Sequence, residues 1–174
     1  MRCTKRGVMS VSFINKLFKS KSNDDFCTAV VLAAGNSQRM GKDKILMPLG
    51  GAPVIAHTLK ALQSAECIDE IVVVTKYERL QELADICHDH GISKASKVVV
   101  GGKTRLESSL IGVSNADERA KYIAIHDGAR PFVTNSLIER VVHSAHQHGA
   151  SAPAVSATDT VRILNVKGAV VETP

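Results

Sequence analysis

Four short segments of β-branched and other apolar residues recur along the chain, and a helix-like segment separates each from the next. The strand-like segments are 29–32, 68–75, 97–100 and 121–127. They lack the apolar–polar alternation of a strand with one solvated face, which indicates burial on both faces. Strands of this kind separated by helices form βαβ units. The sequence therefore predicts an α/β fold, a Rossmann-like three-layer sandwich around a mainly parallel sheet.

The segments between these strands carry the periodicity and the start signals of helices. Pro53 suits the first turn of a helix, and Ile55, Leu59 and Leu62 after it fall on one side. Ser136 and Glu139 have the spacing of a capping box, which predicts a helix start there.

The last part of the sequence breaks the alternation of strands and helices. It has two or three extended runs and a turn signal at 165–168, and it lacks a helix pattern. We expect the start of a protruding β-arm. The predicted organisation is an N-terminal extension over 1–26, an α/β domain over 27–153 and a partial β-arm over 154–174.

The formal net charge of +5 is concentrated in the N-terminal extension. Six of the 22 Lys and Arg residues lie in residues 1–25, with two of the 17 acidic residues, so the remaining chain carries 16 basic and 15 acidic side chains. Aromatic residues make up only 3% of the sequence, which leaves few side chains for stacking on bases. We therefore expect no nucleic-acid partner.

The N-terminal extension and the cysteines bear on location. The extension has a small apolar patch among lysines but no secretory apolar core, so we expect a flexible tail. No segment approaches the ~20 apolar residues of a membrane span, and we expect no membrane partner. The four cysteines lack C-x-x-C spacing, which is typical of free thiols in a reducing cytoplasm.

Three polar loops rich in small residues follow strands, over 33–44, 101–108 and 126–131. Ligands of parallel sheets collect at the carboxyl ends of strands, so these loops should meet. The first loop combines Gly35 with Arg39, Lys42 and Lys44, which favours an anionic ligand. It is not a Walker A loop, because that loop has four residues between its glycines and here five residues separate Gly35 from Gly41. It is not a dinucleotide fingerprint either, because that motif has three glycines and this loop has only these two.

The motifs in these loops resemble a known enzyme family. They are L-A-A-G-x-x-x-R-M in the first loop, "GGKTRLESSLIG" in the second, "IHDGARPF" in the third and the later "SATDTV". Together, from Cys27 to Thr173, they resemble the 2-C-methyl-D-erythritol 4-phosphate cytidylyltransferase family. The resemblance implies transfer of a cytidylyl group from CTP to 2-C-methyl-D-erythritol 4-phosphate, giving CDP-methylerythritol and pyrophosphate in non-mevalonate isoprenoid precursor biosynthesis. It also implies a homodimer joined through the β-arm.

The resemblance assigns roles to individual positions. Arg39 and Lys44 would be catalytic and would stabilise charge at the reacting phosphorus. Asp127 would hold Mg²⁺ or another divalent cation. Nucleotide binding would involve Ala33, Ala34, Gly35, Gly102 and Ser108, and the sugar-alcohol phosphate would meet Asp127, Gly128, Arg130 and Thr160.

Elementary chemistry supports this division of roles. A phosphate monoester is already anionic, so the attack on CTP needs no strong base. The barrier is electrostatic, because one anion must approach a polyanion. Positive charge around the α-phosphorus therefore carries the catalysis. An aspartate at the end of a strand suits a hard cation that keeps most of its waters.

Several alternatives stay open. The interval from Met40 to Lys44 is shorter than in the family, so Lys42 is an alternative to Lys44, and Lys103 stands where the family often has an acidic residue. The family's next Asp-Arg pair and its C-terminal Lys have no counterpart, and we expect a truncated chain. The rival functions are ribitol-5-phosphate cytidylyltransferase and a non-catalytic CTP-binding fragment.

Overall fold

The computed structural model describes residues 25–35, 43–156 and 158–173. These residues form eight strands and four α-helices. In chain order they are β1 (Cys27–Leu32), β2 (Pro48–Leu49), β3 (Ala52–Pro53), α1 (Val54–Ser64), β4 (Glu70–Thr75), α2 (Leu80–Asp89), β5 (Ala95–Val100), α3 (Arg105–Ser114), β6 (Tyr122–Asp127), α4 (Asn135–His148), β7 (Ile163–Leu164) and β8 (Val170–Glu172).

The central sheet has the order β5-β4-β1-β6, and all of its neighbouring strands are parallel. Val30 in the middle of β1 pairs with Val72 of β4 on one side and with Ile125 of β6 on the other. Every residue of β4 is buried, as its unbroken apolar pattern predicts. The predicted α/β fold with a mainly parallel sheet is confirmed.

Helices cover both faces of this sheet. On one face, α1, α2 and α4 pack on alternate residues of β1 and β4, and the predicted apolar side of α1 (Ile55, Leu59, Leu62) is fully buried there. On the other face lies α3, whose Gly112 approaches β1 so closely that an added Cβ would lie 2.2 Å from Val30 Cγ1. Only glycine permits this close approach of a helix to a strand.

The start of α4 differs from the sequence prediction. Its N-cap is Thr134, whose hydroxyl accepts a hydrogen bond from the backbone N of Leu137, so the prediction of a Ser136–Glu139 capping box was wrong. Thr134 has extended backbone dihedrals and the helix has already begun at Asn135, which places Ser136 inside the first turn. A complete capping box is present in α3 instead, between Thr104 and Glu107.

A buried carboxylate fastens the amino-terminal end of the sheet. Glu70 of β4 accepts hydrogen bonds from the hydroxyls of Thr28 and Ser96 and from the backbone N of Asp117. These partners belong to β1, to β5 and to the loop before β6. One side chain therefore connects the ends of three strands with that loop.

The predicted arm begins after α4. Strands β7 and β8 pair antiparallel, and the backbone N of Gly168 donates to the carbonyl of Asn165 at 2.9 Å, closing the turn that the sequence predicted. Its apolar side chains are exposed. In the part of the chain that the structure describes, no helix has the length and apolarity to cross a membrane.

Candidate active site

The three polar loops meet in one cleft at the carboxyl ends of the parallel strands. The cleft has a volume of about 1230 Å³. Its walls come from 33–35 after β1, 43–45, 76–78 after β4, 100–105 after β5, and Asp127 at the end of β6. The predicted convergence of these loops is therefore present in the structure.

Ala33 anchors the first loop to the sheet. It is buried, and its backbone N donates to the carbonyl of Val74 at 2.7 Å as the chain leaves β1. Ala34 and Gly35 follow along the cleft wall, and no atom of the described residues lies within 4 Å of the position that a Cβ on Gly35 would take. A ligand can therefore approach this backbone closely. The predicted Arg39 and its neighbour Lys42 lie outside the described residues.

Lys44 lines the cleft from a short 3-10 turn over Lys44–Leu46. Two neighbours fix this turn. Asp43 caps it and pairs with Arg79, whose Nη2 lies 3.1 Å from Asp43 Oδ2, while Ile45 is buried in the core. The exposed ammonium of Lys44 therefore extends from a well-anchored backbone.

The glycine loop is held by the first turn of α3. Oε2 of Glu107 accepts from the backbone N of Lys103 at 2.6 Å and of Thr104 at 3.2 Å. The backbone N of Gly102 donates to Oγ of Ser108 at 3.2 Å. Ser108 is only 4% exposed, so its hydroxyl supports the loop from below.

Asp127 lies between two arginines. Nη2 of Arg105 is 3.0 Å from Oδ1, whereas Nε and Nη2 of Arg130 each lie 2.9 Å from Oδ2. Burial raises the pKa of Asp127, but the hydrogen bonds and positive charges of Arg105 and Arg130 outweigh that effect and hold the pKa below its ordinary value. The carboxylate is therefore ionised at neutral pH.

The other predicted substrate residues are placed differently. Gly128 is buried, and its backbone N donates to the carbonyl of Leu32 while its own carbonyl accepts from Thr58 Oγ1, both at 2.9 Å. Gly128 thus fixes the start of the third loop. Thr160 is exposed on the segment leading to β7, and the structure does not bring it to the described walls of the cleft.

Asp127 is also the candidate metal ligand. Within 25–35, 43–156 and 158–173, no three His, Cys, Asp or Glu side chains are grouped to hold a metal ion. A cation here would take one protein carboxylate and complete its shell with phosphate oxygens and water, which is how Mg²⁺ commonly binds. Oδ1 accepts a single hydrogen bond, from Arg105, so it retains a lone pair for a cation or its water. Asp127 would therefore meet a divalent cation as a single protein ligand, with Arg105 on one carboxylate oxygen and Arg130 on the other.

Sequence reasoning missed Arg105 as a site residue. It is the arginine of the G-G-x-x-R-x-x-S element, and it is the first residue of α3. The motif contains this arginine, but its partner Asp127 lies 22 residues further along the chain, in the third loop. Arg79, which pairs with Asp43, was missed for the same reason.

Comparisons of the sequence with known proteins point to one family. The family model "IspD: 2-C-methyl-D-erythritol 4-phosphate cytidylyltransferase" matches residues 27–174. A curated relative, 2-C-methyl-D-erythritol 4-phosphate cytidylyltransferase of Clostridium botulinum (strain ATCC 19397 / Type A), is 36% identical over 149 residues. That match covers 84% of this chain and 65% of the relative.

Solved structures share the fold. The 4-diphosphocytidyl-2C-methyl-D-erythritol synthase from Anaerococcus prevotii DSM 20548 has a TM-score of 0.73 and 26% identity, over 87% of this chain and 64% of that one. Rv0371c from Mycobacterium tuberculosis H37Rv, solved as a complex with manganese, has a TM-score of 0.55 and 22% identity, over 69% of this chain and 59% of that one. The second likeness concerns the fold alone.

The chain spans slightly less than two thirds of the length of the Clostridium botulinum relatives, 65% in each case. The match with the family model nevertheless runs from the first residue of β1 to the end of the chain and includes all the loops of the cleft. The protein belongs to the 2-C-methyl-D-erythritol 4-phosphate cytidylyltransferase family.

Proposed function

We propose that this chain transfers a cytidylyl group from CTP to 2-C-methyl-D-erythritol 4-phosphate. The products are CDP-methylerythritol and pyrophosphate, in non-mevalonate isoprenoid precursor biosynthesis. The observation that carries the proposal is the meeting of three loops in one cleft: a small-residue loop with Lys44, a glycine loop, and the ionised Asp127. Membership of the family supports the choice of CTP and the acceptor.

The reaction is a displacement at phosphorus. A phosphate oxygen of the acceptor forms a bond to the α-phosphorus of CTP, and the bond from that phosphorus to the leaving pyrophosphate breaks. Lys44 and Arg39 neutralise the charge that accumulates on the phosphate oxygens during this step. No proton has to be removed from the attacking group, which is consistent with the absence of a general base from this assignment.

The nucleotide occupies the side of the cleft formed by the first two loops. Ala33, Ala34 and Gly35 admit it close to the backbone, because their side chains are small or absent. Gly102 contacts the cytidine, and Ser108 keeps Gly102 in position through its hydroxyl. We assign Ser108 this supporting role, and no direct contact with the nucleotide, because it is buried beneath the glycine loop.

The acceptor and the metal occupy the side formed by the third loop. Asp127 would hold Mg²⁺ or another divalent cation, and the manganese complex of a protein with the same fold supports divalent-cation binding on such a scaffold. When bound, the cation supplies positive charge at the phosphate oxygens. Arg130 and Gly128 shape the loop.

The assembly proposed is a cytoplasmic homodimer joined through the arm over 154–174. The exposed apolar side chains of the β7–β8 hairpin support this, because such side chains are normally covered by a partner. No nucleic-acid or membrane partner is proposed. A nucleic-acid partner is not proposed because the positive and negative charges after residue 25 are nearly balanced.

The test is magnesium-dependent pyrophosphate release from CTP, with methylerythritol phosphate and ribitol phosphate offered separately. Turnover with methylerythritol phosphate alone supports the proposal. Turnover with ribitol phosphate alone would move the chain to ribitol-5-phosphate cytidylyltransferase. CTP binding without turnover on either acceptor would leave a non-catalytic CTP-binding protein, and absence of CTP binding would contradict the assignment of the cleft.

A further inference from the structure

We propose that Arg105 is a positioning residue that fixes the Asp127 carboxylate relative to the glycine loop. It thereby couples the nucleotide side of the cleft to the acceptor side. This inference rests on the proposed function for its catalytic consequences, whereas the positioning itself concerns the protein alone.

The two arginines on Asp127 divide its oxygens between them. Arg105 contacts Oδ1 and Arg130 contacts Oδ2. Arg130 is three residues from Asp127 on the same loop, so this pair moves together with that loop. Arg105 comes from another loop and another element, 22 residues away along the chain. Of the two contacts, only the one from Arg105 can fix the third loop relative to the second.

The backbone of Arg105 is itself firmly placed. It is the first residue of α3, and the capping box between Thr104 and Glu107 secures that end of the helix. Further along, Gly112 packs tightly against Val30 of the central strand. The backbone from which the guanidinium extends is therefore fixed relative to the central sheet.

The contact is poorly suited to a role in stability. The side chain of Arg105 is 67% exposed, and exposed ion pairs contribute little to the free energy of unfolding. Its location in the cleft, on the carboxylate proposed to meet the metal and the acceptor, gives it a geometric consequence instead. Small displacements of a site residue lower the rate strongly.

The first experiment measures the free protein. Amide hydrogen exchange is compared in wild type, Arg105→Gln and Arg119→Gln. Arg119 pairs with Asp117 at the opposite end of the sheet and serves as the matched ion-pair control. We expect exchange at Gly128 and Arg130, whose backbone N atoms donate to the carbonyls of Leu32 and Asp127, to rise about fivefold in Arg105→Gln and to stay unchanged in the control. Unchanged exchange in Arg105→Gln would overturn the positioning role whether or not the protein turns over CTP.

The second experiment is a double-mutant cycle with Arg105→Gln and Asp127→Asn. Alone, Arg105→Gln should raise KM for the acceptor about tenfold while the Kd of CTP changes less than about twofold. In the Asp127→Asn background, Arg105→Gln should raise the acceptor KM by less than about twofold more, because the partner of Arg105 is already altered. Action through Asp127 would be contradicted if the effects of the two substitutions on the acceptor KM multiplied independently. It would also be contradicted if Arg105→Gln weakened CTP binding as much as it raised the acceptor KM. Arg105→Lys should restore part of the acceptor KM.

If wild type shows no turnover with either acceptor, the proposed function fails, and the exchange measurement still decides the positioning role. If wild type turns over and the exchange and KM of Arg105→Gln match wild type, only the inference about Arg105 fails.

Discussion

At the scale of single residues, Lys44 and Lys42 are competing candidates for one role. Lys44 extends into the cleft from a turn held by Asp43 and Ile45, and Lys42 lies outside the described residues. Loss of a preorganised cation beside a reacting phosphate lowers kcat by about 10²-fold or more. We expect that loss in Lys44→Gln, with an unchanged Tm because the side chain is exposed.

Steady-state kinetics of Lys44→Gln and Lys42→Gln, measured side by side, check this prediction. A larger loss of kcat in Lys42→Gln than in Lys44→Gln would transfer the role to Lys42.

Gly102 has no room for a side chain. A Cβ there would lie 2.3 Å from Cβ of Glu107, so Gly102→Ala must displace the first turn of α3 and disturb its capping box. We expect a loss of about 1–3 kcal/mol in the free energy of unfolding and a KM for CTP raised about tenfold. Urea denaturation and kinetics measure the two effects.

The comparison for stability is Gly35→Ala, which adds the same methyl group at a position with no described atom within 4 Å. An equal loss of stability in both variants would show that the clash with Glu107 is not the cause.

Residue identities could be read from the sequence more readily than residue partners. The motifs gave Asp127, Gly102 and Lys44, and the structure brings them to one cleft. They did not indicate that Arg105 contacts Asp127, since that contact depends on how α3 is oriented on the sheet. The cap of α4 was misassigned because Thr134 and Ser136 are both good capping residues, and the backbone dihedrals at Thr134 decide between them.

At the scale of elements, strand positions followed from composition because unbroken β-branched segments suit burial on both faces. The boundaries moved by a few residues where pairing extends the strand. Thus β5 begins at Ala95, before the apolar run at 97–100, because it pairs with Ile71 of β4. Sequence reasoning also gave no sign of the network at Glu70, whose partners are distant along the chain.

That network predicts a dependence of stability on pH. Burial raises the pKa of Glu70, but the hydrogen bonds from Ser96, Thr28 and the backbone of Asp117 prevail and leave the pKa below its ordinary value. A lowered carboxyl pKa contributes stability that is present above the unfolded pKa of 4.5 and is lost as the pH falls through the folded value.

We therefore expect Glu70→Gln to lose about 1–3 kcal/mol of unfolding free energy at pH 7, because its charge-assisted hydrogen bonds weaken. It should also show a shallower loss of stability in acid than wild type. Thermal denaturation from pH 7 to pH 3 measures both. Glu139→Gln, on the exposed side of α4, is the matched control, and an identical acid profile for the two variants would contradict the role of the network.

At the scale of the whole molecule, an apolar surface remains exposed beside the cleft. Leu106, Leu110 and Val113 form a stripe on α3, and Ile125 of β6 is exposed on the same face of the sheet. Nothing among the described residues covers this surface. Its position follows from β6 being the edge of the four-stranded sheet while α3 packs over β1 and β4.

Such a surface should bind apolar dyes and promote self-association. We expect the double substitution Leu106→Gln and Leu110→Gln to reduce ANS fluorescence about twofold. Val166→Gln is the control, since Val166 is fully exposed in the hairpin turn, away from the stripe. Equal effects of the two changes would show that dye binding reflects exposed apolar residues in general.

The strand order has a further consequence during synthesis. Strand β1 leaves the ribosome first, but its two partners in the sheet are β4 and β6, and β6 ends only at Asp127. At about 5–20 residues per second, the interval between Leu32 and Asp127 lasts about 5–20 seconds. Throughout that time β1, which is buried over nearly its whole length in the folded protein, has an open edge. A nascent chain stalled before β6 would therefore depend on chaperones to keep β1 from pairing with another polypeptide.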